Sequence, residues 1–184
     1  MSDIIMCANF ELLKQNIIDS IEEQQLKLGY LKETVRLYYP LSSLNRFLQV
    51  DATIEEMTDL LQRFSSWCTD ELGGVGITNK GERFCIAVPP AGADYVHQHI
   101  CANGFLNELI ETVRMHGTTW EDLFHVFQKH SDSVCVEEMH NGEFQYLVYF
   151  QNGIPDDYRY CIAVEADHVT YHRYTPADYE DFGF

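Results

Sequence analysis

The chain has 184 residues, 46% apolar in type and 13% aromatic, with 12 Lys and Arg against 29 Asp and Glu for a formal charge of −17. That length allows a sizeable buried core, and so much apolar surface excludes intrinsic disorder despite the charge. No apolar run approaches the roughly 18 residues of a membrane span. An acidic surface of this size repels nucleic-acid phosphates and anionic lipid leaflets, so neither nucleic acid nor membrane is an expected partner.

The charge is uneven. Residues 1–92 carry a balance of −5, whereas residues 93–184 carry −12 together with all eight histidines. Met1–Asp3 opens no basic and apolar leader, which predicts a cytoplasmic protein. The six cysteines show no C-x-x-C spacing and several lie in strand-like runs, as reduced, buried thiols would.

In chain order, Phe10, Leu13, Ile17, Ile21, Leu28, Leu31 and Val35 recur at helical spacings, predicting helix over the first 39 residues until Pro40 stops it. A short helix is expected around Ser43–Leu48. Thr53 and Glu56 have capping-box spacing ahead of a stripe of Met57, Leu60, Leu61, Phe64 and Trp67, which Gly73-Gly74 ends. Val75–Thr78 and Glu82–Val88 read as a hairpin across Asn79-Lys80-Gly81. Helix resumes over 93–116, with a break expected at Asn103-Gly104, and a second capping box at Thr118 and Glu121 opens a helix to about His130. Val134–Met139 pairs with Phe144–Phe150, and Tyr158–Glu165 pairs with His168–Tyr174. Thr175 and Pro176 then start a last short helix. A capped helix followed by a hairpin thus occurs at 53–88 and again at 118–150, but the sequence echoes Gly81-Glu82/Gly142-Glu143 and Arg83–Val88/Arg159–Val164 imply different offsets. The pattern predicts one α+β domain, with N-terminal helices over about 1–72 and capped helices packed on an antiparallel sheet of about six strands.

Two clusters carry candidate chemistry. His97, His99 and Cys101 are metal-competent, and on a helix His97 and Cys101 share a face while His99 turns away. On the last strand His168, Thr170, His172 and Tyr174 share one face and Val169, Tyr171 and Arg173 the other. His168, His172, Arg173 and Tyr174 are the candidate ligand-binding residues. Asp156-Asp157 beside Arg159 reads as a solvated loop, and adjacent Glu137-Glu138 in a strand point to opposite faces. Gly73-Gly74-Val75-Gly76 follows a helix and opens a strand, the reverse of a phosphate-binding loop. No nucleophile elbow, H-E-x-x-H or cofactor fingerprint is present. The aromatics of the acidic end, Tyr179, Phe182 and Phe184, are expected to tuck back onto the sheet.

The segments Thr119–Leu123, Asp156–Ile162, His168–Arg173 and Asp178–Phe182 resemble an uncharacterised bacterial domain family of single-domain, acidic cytosolic proteins. The resemblance implies no activity, cofactor or catalytic residue. Composition favours an interaction protein, of inhibitor or immunity type, whose acidic C-terminal half engages a basic protein partner. The alternative is a small-ligand or metal-dependent binding or hydrolytic protein with a His/Arg site on the last hairpin.

Overall fold

Asn9 opens α1 (Phe10–Leu28) by accepting a hydrogen bond from the Leu12 N–H at 3.4 Å, and Gly29 ends it at φ +85°, where a side chain would be strained. The helix expected over the first 39 residues therefore stops early. Val35–Pro40 is a strand, β1, in which buried Val35 and Tyr39 and half-buried Leu37 alternate with exposed Arg36, Tyr38 and Pro40. The seven-residue step from Leu28 to Val35 fits a helix, but Leu28 is 74% exposed and belongs to no buried stripe. The computed structural model describes residues 8–99 and 104–182, in two compact units, Met1–Cys101 and Ala102–Phe184.

In unit 1, β1 leads into α2 (Leu41–Leu48), α3 (Ile54–Trp67), α4 (Thr69–Leu72), β2 (Gly76–Lys80), β3 (Arg83–Val88) and α5 (Pro90–His99). The sheet is antiparallel in the order β1-β3-β2, with Tyr39 opposite Phe84 and Leu37 and Ile77 both opposite Ile86. Phe84, Ile86 and Val88 point into a core with Leu13, Ile17 and Ile21 of α1 and Met57, Leu60, Leu61 and Phe64 of α3. Each such side chain contributes about 1.5–3 kcal/mol by leaving water.

Unit 2 comprises α6 (Gly104–Arg114), α7 (Trp120–His130), β4 (Val134–Glu138), β5 (Tyr146–Phe150), β6 (Arg159–Val164), β7 (Val169–Tyr174) and α8 (Pro176–Phe182). Its sheet runs β4-β5-β6-β7, antiparallel throughout. Phe105 of α6 meets Phe127, Phe150 and Tyr160 edge-on at 5.1, 5.0 and 5.7 Å, which joins helices to one sheet face. On the other face Phe144, Leu147 and Cys161 form a second cluster, against which Tyr179 of α8 packs as expected; the Phe182 side chain and Phe184 lie outside what is described. Among the described residues there are eight helices and seven strands, an α+β fold with one strand more than the six expected.

The caps show how side chains set the element boundaries. Thr53 and Glu56 form the expected box, the Glu56 carboxylate accepting from the Thr53 N–H at 2.9 Å. The second box lies one residue later than expected, at Thr119 and Asp122. Thr118 is buried, and its hydroxyl donates to the carbonyls of Thr112 and Met115 at 2.6 and 2.8 Å, so it closes α6 rather than opening α7. Thr119→Ala removes one cap partner and is expected to lower stability by about 1 kcal/mol in urea denaturation; an unchanged midpoint would refute that role.

Candidate functional site

The alternation of β7 decides which candidate residues meet. His168 sits in the turn before the strand, its Nδ1 2.8 Å from Asp167 Oδ1 and its Nε2 3.5 Å from Glu165 Oε2. The Asp167 hydrogen bond raises the pKa of His168 above the ordinary value of 6.5. His172 is exposed, edge-on to Phe144 at 5.4 Å and stacked with Tyr174 at 6.5 Å. Arg173 projects from the opposite face, its guanidinium 4.2 Å from the centre of the Tyr158 ring. The structure therefore brings His172 and Tyr174 together and separates Arg173 from them.

Arg173 joins a different group. It lies opposite Tyr160 in the β6–β7 register. The fully buried Tyr160 hydroxyl donates to Asp156 Oδ2 at 2.6 Å, and the Tyr158 N–H donates to Asp156 Oδ1 at 3.1 Å. Burial pushes the Asp156 carboxyl up, opposed by the Tyr160 hydrogen bond and the Arg173 charge. Burial and the neighbouring carboxylate also hold Tyr160 well above its ordinary range. The sequence reads Asp156-Asp157 as a solvated pair; Asp157 is exposed, but Asp156 turns inward. The group ties the 153–158 loop to the sheet.

In unit 1, His97 stacks on Tyr30 at 4.1 Å, and the Tyr30 hydroxyl donates to Asp94. His99 stacks on Tyr95 at 4.1 Å, its Nδ1 2.7 Å from the Tyr95 carbonyl. Each ring packs on its own tyrosine, and Cys101 lies outside the described residues. Among the described residues no three His, Cys, Asp or Glu side chains gather as a metal would require.

Unit 2 has a cleft of ≈ 470 Å³ between the start of α7 and the β6–β7 turn. Trp120 and Tyr146 form its aromatic wall, stacked at 4.1 Å with planes 11° apart, and Trp120 also stacks on Phe124 at 5.2 Å. Glu121, Glu165 and Asp167 line it, all exposed. Gln145 braces the mouth, its Oε1 accepting from the Val164 N–H at 2.6 Å. The hydroxyls of Thr118 and Thr119 are committed to the helix ends, so neither is free to attack a substrate. Three carboxylates around the cleft suit a cation through their charge. Sequence reasoning missed this site because its acids come from separate segments; the Trp120-Glu121 step after a cap and the tight Ala166-Asp167 turn were its visible signals.

A second concavity of ≈ 370 Å³, lined by Glu137, Glu138, Met139, His140 and Tyr179 among others, is also acidic. There the Tyr149 hydroxyl donates to Glu137 at 2.8 Å, which pushes Tyr149 up to about 12. Among the described residues no helix is long and apolar enough to cross a membrane.

Comparison with curated proteins and with solved structures finds no match. A family model described as a domain of unknown function from an E. rectale gene, DUF3877, matches residues 10–183. That match takes in both units and nearly the whole chain, and the protein belongs to the bacterial DUF3877 family.

Proposed function

We propose that the protein is a non-enzymatic interaction module whose acidic surface receives a basic protein partner, with the Trp120–Tyr146 cleft taking a Lys or Arg side chain. The observation that carries the reading is the placement of Glu121, Glu165 and Asp167 around that aromatic wall. The −12 balance of residues 93–184 extends the same sign of field beyond the cleft, which speeds association with a basic surface and makes it salt-sensitive. Cys68, Cys85, Cys135 and Cys161 are free thiols, in keeping with a reducing cytoplasm.

Titrating the protein with a fluorescent, arginine-rich peptide of about 12 residues tests this. Binding is expected at low salt and is expected to weaken about tenfold or more in the E121Q/E165Q/D167N variant. His168 supports a second readout. Its pKa is raised, so its positive charge is present at low pH and lost as pH rises through that raised value. The charge lies against Glu165 and Asp167 and competes with an incoming cation, so affinity is expected to rise over that window. Equal binding by the triple variant would refute the cleft as the docking point.

A further inference from the structure

The outward face of the unit 1 sheet has the opposite character. Register places Arg36, Tyr38 and Pro40 of β1, Arg83, Cys85 and Ala87 of β3, and Gly76, Thr78 and Lys80 of β2 on this one face. These positions hold three cations and no carboxylate, in a chain with 29 acids and 12 bases. Arg36, Lys80 and Arg83 are all exposed, and none is ion-paired among the described residues. Tyr38 is 57% exposed, with the Arg83 guanidinium 5.3 Å from its ring centre.

Two further features bear on what would cover this face. Lys80 and Arg83 are direct cross-strand partners, and like charges held opposite one another weaken a sheet. An anion seated between them relieves that repulsion. Among the described residues β2 is also an edge strand, paired only with β3 in a three-stranded sheet, so its other side can hydrogen-bond an added strand.

We propose that this face docks an extended acidic segment of a partner protein. The partner's backbone would lie along the outer edge of β2 and its carboxylates would reach Lys80, Arg83 and, farther along, Arg36. Gly76, Thr78, Cys85 and Ala87 form a shallow floor that an alternating strand can cross without a clash. Charge complementarity on this face is the argument for an acidic occupant. A polypeptide fits better than single-stranded nucleic acid. The latter needs a series of aromatic faces for stacking, whereas this face offers Tyr38 alone, and three cations release few counterions against a chain of charge −17. This surface is distinct from the acidic cleft, and its test is independent of that reading.

The full chain is titrated at low salt with a labelled peptide of about 12 residues alternating Glu and Thr, with its Gln-for-Glu counterpart, and with an oligothymidine of similar length. The acidic peptide is expected to bind, and K80E and R83E are each expected to weaken it about tenfold, with R36E weakening it less. K80E also places a carboxylate opposite Arg83, so its melting temperature is expected to rise by about 1–3 °C while binding falls. A variant that is more stable yet binds less separates docking from folding. No binding of the acidic peptide, equal binding of the Gln peptide, tighter binding of oligothymidine, or unchanged affinity in K80E would each overturn the proposal.

Discussion

Replacing Gly92 with alanine is expected to destabilise unit 1 by about 2 kcal/mol, even though alanine is the better helix former. Gly92 is buried in α5, and a Cβ there would sit 2.3 Å from the Leu72 carbonyl oxygen and 2.5 Å from Val88 Cγ1. Backbone cannot rotate aside as a long side chain can, so α5 or α4 must shift, which costs about 3 kcal/mol for overpacking. The gain in helix propensity is about 1 kcal/mol and does not offset it. Gly74 is the matched control, because nothing lies within 4 Å of its added Cβ and its φ is not positive. Gly74→Ala is therefore expected to be neutral or stabilising by a few tenths of a kcal/mol. Urea denaturation of both variants checks the pair, and equal midpoints would refute the close approach of α5 to α4.

Removing the Arg173 charge is expected to destabilise unit 2 in a pH-dependent way. In Arg173→Met the Asp156 carboxylate keeps its Tyr160 hydrogen bond but loses the favourable field of the Arg173 charge, at a cost on the order of 1–3 kcal/mol near neutral pH. The pH dependence has a fixed sign. The folded-state pKa of Asp156 is raised, so its contribution is fully present below the ordinary value of 3.8 and is lost as pH rises through the raised value. Without Arg173 the carboxyl rises further. The penalty is then largest at neutral pH and shrinks in mild acid, where Asp156 is protonated. Asp156→Asn in the Arg173→Met background is expected to recover part of the loss and to flatten that slope. A penalty independent of pH would show that Arg173 acts through packing on Tyr158 instead.

Features with short sequence range were legible. The Thr53–Glu56 cap, the three hairpins and the start of α8 at Pro176 all depend on residues a few positions apart, and each formed near its expected place. β1 was not legible, because Val35 continues the helical spacing of Leu28 and Leu31 as well as opening the strand alternation of Val35, Leu37 and Tyr39. The partner that decides between them, β3, lies about fifty residues away. Thr118 and Thr119 both fit a cap in sequence; the burial that commits Thr118 to α6 is a tertiary fact. The same holds for the site. Alternation along β7 correctly separates Arg173 from His172, but nothing local shows that Asp156 turns inward to Tyr160, or that Glu121 joins Glu165 and Asp167.

The other sheet has an open border too, at β4, where Val136 is 38% exposed beside Glu137 and Glu138. Such a border invites copies to stack into fibrils, and paired carboxylates on alternate faces oppose it, because any stacked copy would bring like charge against like. This guard is electrostatic. It is strongest at low salt and fades as added ions screen the charges, so concentrated salt exposes the molecule to aggregation along that strand.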